Sequence, residues 1–157
     1  MQQTLLQKLQ WKDQKSLLVL DAPEELRTVL ANLAGTLTIV RRVPRKPGVS
    51  FVLAFVKTEN DVQGALTRVT PILAEDTLLW FAYPKQTSKR YAATITRDRG
   101  WDPLGVAGYE AVRQIAIDEN WSALRFRSIR RITRLSRNPT RMISRRGRQS
   151  ASGDRRA

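Results

Sequence analysis

The chain of 157 residues contains neither cysteine nor histidine. The absence of cysteine excludes disulfides, thiolate nucleophiles and cysteine-based zinc or iron–sulfur sites, and it fits a reducing compartment. The absence of histidine removes the commonest general base near neutral pH and the commonest metal ligand. Any catalysis would fall to carboxylates, lysines, tyrosines or hydroxyls, so we expect no catalytic site of the Ser-His-Asp or Cys-His type and no metal.

Long hydrophobic runs are also lacking. No apolar stretch is long enough to span a bilayer, and the first fifteen residues lack the continuous apolar core of a secretory signal. We therefore expect a cytoplasmic protein without a membrane span. The 41% of apolar residues, at this chain length, is enough for one domain that buries a core without crosslinks.

Positive charge is in excess and is concentrated at the C-terminus. The formal net charge is +14, from 28 basic and 14 acidic residues. Residues 127–157 hold eleven arginines and one acid, a net of +10, so residues 1–126 hold 17 basic and 13 acidic residues, a net of +4. We predict a single α/β domain over residues 1–127 and a basic, largely disordered tail over residues 128–157, which is rich in glycine, serine and arginine.

Apolar runs alternate with helical patterns between the two ends of the predicted domain. Continuous apolar or β-branched runs predict strands at residues 16–20, 36–40, 51–56 and 78–83. Apolar residues at helical spacing predict helices over residues 23–35 and 58–73, the second opened by a capping-box pair of Thr58 and Asp61. A short helix capped by Asp102 follows, and two strand-like runs at residues 112–118 and 121–127 predict an antiparallel hairpin.

This order of elements predicts a three-layer α/β fold. Strands that alternate with helices form a mainly parallel sheet, here of five to seven strands, because parallel neighbours need crossover connections. The sheet is expected to end in the antiparallel hairpin. Sheets of this kind bind ligands outside the carboxyl ends of their strands, where the chain has loops at residues 21–24, 57–60 and 83–97.

The turn after the first strand argues against a nucleotide cofactor. Dinucleotide- and S-adenosylmethionine-binding proteins of this topology place glycines there, so that the backbone can approach the ligand. Here the turn reads LDAPEEL, and no glycine occurs between Ser16 and Ala34. The acids Glu24 and Glu25 would also repel a pyrophosphate. The sequence therefore predicts no cofactor at this turn.

The loop after the fourth strand is the second candidate. Its ammonium groups and hydroxyls, at Lys85, Ser88 and Lys89, are suited to an anion such as phosphate or carboxylate. The alternative is a solvated connection whose lysines keep the sheet edge soluble, and the residues leave both interpretations open. Further on, Arg125 is expected to pair with Asp98 or Asp118 and so to be structural.

Arginine recurs about every third or fourth residue in the predicted tail. Arginine forks bind phosphates well, and this density of charge favours salt-sensitive, sequence-independent binding of nucleic acid. Two alternatives remain open, a solvated extension without a dedicated partner and an amphipathic stretch on an anionic membrane. The candidate nucleic-acid-binding residues are Arg130, Arg131, Arg134, Arg137, Arg141, Arg145, Arg146 and Arg148.

Three segments, LLWFAYPKQTSK, TITRDRGWDPL and AIDENWSALRFR, follow one another at close spacing. Through them the chain, over approximately residues 5–127, resembles a family of small bacterial proteins grouped as a domain of unknown function. The strand order also looks similar to a shortened Rossmann-like methyltransferase. No reaction is established for this family, so the resemblance implies little about activity. The resemblance implies that a ligand site, where the family has one, would comprise Lys85, Ser88, Lys89, Arg97, Asp98, Trp101 and Trp121.

The leading prediction is a non-enzymatic binding or accessory protein whose tail contacts nucleic acid, with no cofactor and no metal. The alternative is a degenerate or minimal methyltransferase-like enzyme, or a module that binds a small anion, using the loop from Lys85 to Asp98. The sequence leaves the oligomeric state open.

Overall fold

Six strands form one sheet in the computed structural model, which describes residues 4–129. The order across the sheet is β2-β1-β3-β4-β6-β5. The first four strands pair in parallel, and β6 runs antiparallel to both β4 and β5. The predicted α/β fold, with a mainly parallel sheet that ends in an antiparallel hairpin, is confirmed. The strands are β1 (Ser16–Leu20), β2 (Thr38–Val40), β3 (Val49–Phe55), β4 (Leu73–Pro84), β5 (Tyr109–Ala116) and β6 (Trp121–Ser128).

The helices are short, apart from one. They are α1 (Leu5–Lys8), α2 (Arg27–Ala31), α3 (Glu59–Val69) and α4 (Asp102–Val106). Short 3-10 turns flank α2 at Glu24–Leu26 and Asn32–Gly35, so the helix predicted over residues 23–35 is a series of three helical segments. None of the described helices has the length and apolarity that a bilayer crossing requires.

The ends of α3 follow from its sequence. The side chain of Thr58 accepts a hydrogen bond from the Asp61 backbone N–H at 3.1 Å, and the Asp61 carboxylate accepts one from Thr58 N–H, which confirms the capping box. The helix ends at Val69 and continues as a 3-10 turn to Ile72, because Pro71 has no N–H to donate. Asp102 was predicted to cap α4 but is its first helical residue, and Trp101 takes the cap position.

Two apolar cores lie on opposite faces of the sheet. Successive strand residues point to opposite faces, so the continuous apolar strands are buried on both sides. One core joins Leu18, Leu20 and Phe81 to the buried face of α3, and the other joins Leu17, Val19 and Trp80 to α1 and α2. The Trp80 indole donates a buried hydrogen bond of 3.0 Å to the carbonyl of Leu9. The sheet and the helices on its two sides are the predicted three layers.

This arrangement creates a switch point between two neighbouring parallel strands. After β1 the chain turns to α2 on one face, and after β3 it turns to α3 on the other face. Ligands of open α/β sheets bind in the crevice at such a point, between the two diverging loops. At the far end of the described chain, Ile129 is buried and its N–H donates to Gly108 at 2.8 Å. The eight arginines predicted to bind nucleic acid lie outside the described residues.

Candidate functional site

The crevice at the switch point is flanked by the turns after β1 and β3. Asp21 directly follows β1 and has a φ of 59°, in the left-handed region that aspartate tolerates better than most residues. The turn that usually contains glycine is therefore made by an aspartate here. On the other flank, the Asp61 carboxylate accepts a hydrogen bond of 2.9 Å from Lys57 N–H and so fixes the turn after β3.

Tyr91 contacts both flanks of this crevice. Its hydroxyl donates a short hydrogen bond to the Glu25 carboxylate, which follows β1. The Lys57 ammonium, which follows β3, lies 4.6 Å from the centroid of the Tyr91 ring. Since the same side chain contacts groups from both flanks, it occupies the space between the loops where a ligand of this topology would enter.

Trp121, the first residue of β6, completes the cluster. Its indole N–H donates to the same Glu25 oxygen at 3.3 Å, and its ring lies 5.0 Å from that of Tyr91 and 5.2 Å from that of Phe55. The Arg90 Nε atom is 3.9 Å from Glu25. One carboxylate is thus held by two neutral donors and one cation, which is a stable arrangement for an ionised acid.

The electrostatics of the cluster follow from these contacts. Burial tends to raise the pKa of Glu25, but the hydrogen bonds from Tyr91 and Trp121 and the charge of Arg90 outweigh it, so the pKa is lowered. Burial, then the hydrogen bond to Glu25, raises the pKa of the Tyr91 phenol. Near neutral pH, Glu25 is therefore ionised and the Tyr91 phenol is protonated. In this state the tyrosine can donate its hydrogen bond to the carboxylate.

The loop that carries Tyr91 is tied to the β5–β6 hairpin. The Ser88 hydroxyl donates to the Asn120 side chain at 2.8 Å and accepts from Tyr91 N–H at 3.1 Å. The backbone N–H of Lys85 donates to Asn120 O at 2.8 Å, and Thr94 N–H donates to the carbonyl of Lys57 at 3.0 Å. These bonds hold the loop across the carboxyl ends of β3 and β4.

The seven residues that the resemblance singled out fall into two groups. Ser88 and Trp121 belong to the Tyr91 cluster, and Lys85, half-buried, and Lys89, exposed, lie on the same loop. The other three, Arg97, Asp98 and Trp101, belong to a stretch that packs on the α3 face of the sheet.

In that second group, each side chain has a local partner. Arg97 donates to Gln114 at 2.9 Å and contacts Asp98 at 3.1 Å. Trp101 is 3% exposed and donates to the carbonyl of Thr96 at 2.7 Å. This part of the candidate site is chiefly a packed turn. Its role in ligand binding stays a prediction.

The prediction that Arg125 pairs with Asp98 or Asp118 is wrong. Asp98 contacts Arg97, and Asp118 accepts hydrogen bonds of 2.8 Å from the backbone N–H groups that shape the hairpin turn. Arg125 instead donates to the Gln10 side chain at 2.8 Å. The register of β6 places Arg125 opposite Trp80 in the middle of the sheet, too far along the strand to meet an acid at its carboxyl end.

Sequence reasoning missed three members of the cluster at the crevice, Glu25, Lys57 and Tyr91. All three lie in or beside loops that follow strands, which is the signal that identifies them in retrospect. Glu25 was considered only as a group that repels pyrophosphate. Within residues 4–129, no group of three or more acidic side chains is gathered that would suit a metal ion.

A shallow groove lies elsewhere, between α3 and α4. It has a volume of 620 Å³ and is lined by Gln63, Leu66, Pro103 and Val106 among others. The Val106 side chain is 81% exposed. The groove extends along α3 and the turn after it, from Glu59 to Pro71, on one face of the sheet. The Tyr91 cluster packs on the other face, so the groove is not part of the candidate site.

The comparisons with known proteins do not assign the chain to a family. No family model and no curated protein matches the chain. Among solved structures, the chain is similar to the crystal structure of a Sulfolobus solfataricus protein assigned provisionally to the type 11 methyltransferases. The TM-score is 0.45 and the identity 9%, over 79% of this chain and 89% of that chain. A similarity at this level carries no argument about activity, so the function has to be argued from the chain's own residues.

Proposed function

We propose that this chain is a non-enzymatic nucleic-acid-binding protein. The α/β fold serves as a folded support with a closed crevice, and the arginines that follow it bind the phosphate backbone without sequence preference. The observation that carries the proposal is the segregation of charge, because residues 127–157 have a net charge of +10 and the remaining 126 residues one of only +4.

The physical basis is the release of counterions from a polyanion. Each phosphate neutralised by an arginine or lysine releases condensed counterions, so binding is tight at low salt and weakens steeply as salt is added. Arginine suits this role because its planar fork offers two parallel N–H donors to one phosphate. A run with ten arginines and one acid over residues 130–157 has no comparable set of acids to neutralise it internally.

The closed crevice supports the non-enzymatic part of the proposal. Tyr91, hydrogen bonded to Glu25 and with its ring tilted against that of Trp121, lies between the two loops where a small ligand of this topology would bind. A ligand there would have to displace a buried aromatic contact and break a hydrogen bond to a carboxylate. Both cost free energy that a small molecule would need to recover.

A rival proposal is favoured by one feature of the same cluster. Lys57 and Arg90 both lie near the Tyr91 ring, at 4.6 and 5.8 Å from its centroid, so movement of that ring would free two exposed cations for a ligand at the switch point. Two cations there would suit a small anion, and the switch point is also where a minimal methyltransferase-like enzyme of this topology would bind its cofactor. Calorimetric titration with S-adenosylhomocysteine and with inorganic phosphate tests it, since binding that grows stronger in Tyr91→Ala would support the rival.

The nucleic-acid proposal is tested with two matched variants of the full chain. In the first, the eight candidate arginines between Arg130 and Arg148 become glutamine. In the second, eight exposed basic residues of the described region become glutamine, so that both proteins lose the same charge. The control positions are Lys12, Lys15, Arg27, Arg41, Arg42, Arg45, Lys46 and Lys89.

The measurement is fluorescence anisotropy with a labelled oligonucleotide at 0.1 M salt. We expect the first variant to lose affinity on the order of a hundredfold and the control to lose much less, because the arginine-rich run provides most of the phosphate contacts. Equal losses in the two variants, or no binding by the unaltered chain, would contradict the proposal.

A further inference from the structure

Three arginines lie together on the face of the sheet that α1 covers. The β5–β6 register pairs Arg113 directly with Arg125. Arg127, two residues further along β6, projects from the same face as Arg125 because side chains alternate along a strand. Directly opposed residues in antiparallel strands have their side chains within contact range, so the three guanidinium groups are neighbours.

Two of these guanidinium groups have a buried donor without a hydrogen-bond partner in the described part of the chain. The Nε atoms of Arg125 and Arg127 are buried and have no hydrogen-bond partner among residues 4–129. Arg125 uses another nitrogen for the Gln10 side chain, at 2.8 Å, and Arg127 comes no closer than 3.9 Å to Asp76. An unsatisfied buried donor is unfavourable by about 1–3 kcal/mol, and more for a charged group, so it is uncommon in native proteins.

The local charge is positive despite two acids. Asp76 faces Arg127, and Glu110, which is 1% exposed, is its register partner on β5. Burial lowers the pKa of Arg125, the charges of Arg127 and Arg113 lower it further, and Asp76 offsets part of this effect. The three arginines and the two acids leave the cluster with a net charge of +1, so an added oxyanion would relieve the repulsion among the arginines.

We propose that Arg113, Arg125 and Arg127 form a binding site for one phosphate group. An oxyanion supplies acceptors to the unused Nε donors, and it offers the geometry that guanidinium forks match. The mainly exposed Arg113 gives access from solvent, whereas Arg125 and Arg127 form the less accessible wall.

The position of the site indicates the source of that phosphate. Arg127 is two residues from Ile129, after which the chain continues into its arginine-rich residues 130–157. In this respect the inference rests on the proposed function. The phosphate belongs to a nucleic-acid strand whose neighbouring phosphates are bound by those arginines. A free phosphate compound offers the same chemistry, and the experiment separates the two sources.

The first arm of the test compares Arg113→Gln with Arg99→Gln in the full chain. Both side chains are exposed and both substitutions remove one charge, but Arg99 lies in the loop on the opposite face of the sheet. We expect Arg113→Gln to weaken oligonucleotide binding on the order of fivefold at 0.1 M salt and to reduce the log–log salt slope by about 0.7 for a single strand. Arg99→Gln should leave both quantities nearly unchanged.

The second arm observes the buried donors directly by NMR of arginine Nε–H groups. The signals of Arg125 and Arg127 should shift when the oligonucleotide is added, and the shift should be lost in Arg113→Gln. Inorganic phosphate, titrated at constant ionic strength against chloride, is the probe for a free source.

The outcomes separate the inference from the function on which it rests. If the variant lacking the eight arginines loses binding while Arg113→Gln matches Arg99→Gln and the two signals do not move, the phosphate site is wrong and the proposed function stands. If the unaltered chain fails to bind the oligonucleotide, the proposed function is wrong. In that case a shift with inorganic phosphate that depends on Arg113 supports a site for free phosphate, and the absence of a shift overturns the inference as well.

Discussion

At the scale of single residues, the contact between Tyr91 and Glu25 determines the character of the crevice. The two residues are 66 positions apart, so no local pattern in the sequence reveals their hydrogen bond. The sequence pattern does indicate that Glu25 and Tyr91 each follow a strand, and that these strands end at the same edge of the sheet. The acid predicted to repel a pyrophosphate instead accepts hydrogen bonds from Tyr91 and Trp121.

Tyr91→Phe should destabilise the fold by about 1.5 kcal/mol at pH 7. A hydrogen bond to a charged group contributes about 1.5–3 kcal/mol, and the lower figure applies because the Glu25 side chain is 21% exposed. Tyr109→Phe is the matched control, since burial alone raises the pKa of its phenol. Urea unfolding of the three proteins measures the difference, and equal losses in both variants would count against the carboxylate contact.

The same pair gives a pH dependence with a definite sign. The folded pKa of Glu25 is lowered, so its contribution to stability is present above its unfolded value, about 4.3, and is lost as the pH falls through the folded value. The stability difference between the unaltered chain and Tyr91→Phe should therefore shrink in acid. Unfolding measured between pH 7 and pH 2 checks this, and a difference that stays constant would contradict it.

At the scale of elements, the strands and the capping box were predictable because each depends on neighbouring residues. The apolar run of β1 and the pair of Thr58 and Asp61 are local signals, and both were confirmed. The observed ends of an element differ from the predicted ends where contacts with other elements determine them. β4 begins at Leu73 and not at Leu78, because it continues along β3 beyond its fully buried segment, across an irregularity in register.

Two glycines with different surroundings provide a prediction at this scale. Gly100 has a φ of +100°, and a Cβ there would lie 2.0 Å from the Cγ2 atom of Ile95. Gly100→Ala should cost about 2–4 kcal/mol, from backbone strain together with overpacking. Gly64 lies within α3 with no atom within 4 Å of an added Cβ, so Gly64→Ala should stabilise by about 0.5–1 kcal/mol. Thermal unfolding distinguishes the two, and a neutral Gly100→Ala would show that the turn can relax.

At the scale of the whole molecule, the fold class was predictable from the sequence, whereas the candidate site was predictable only in part. Alternating strand and helix patterns are enough to predict a parallel sheet and the edge where its ligands bind. They do not predict that Tyr91 lies at that edge, or that Arg125 pairs with Arg113 of the edge strand, because both depend on how the loop and the hairpin dock. The resemblance to the bacterial family of unknown function stays a prediction.

The division between a closed fold and a charged run is the central claim, and the salt dependence of oligonucleotide affinity tests it most directly. For the full chain, we expect the eight arginines to contribute about −5.6 to the log–log slope with a single strand, at about 0.7 of a unit for each arginine that contacts a phosphate. The variant in which those eight arginines are glutamine should show a slope that is shallower by about that amount. Equal slopes in the two proteins would contradict the claim and assign nucleic-acid binding to another surface.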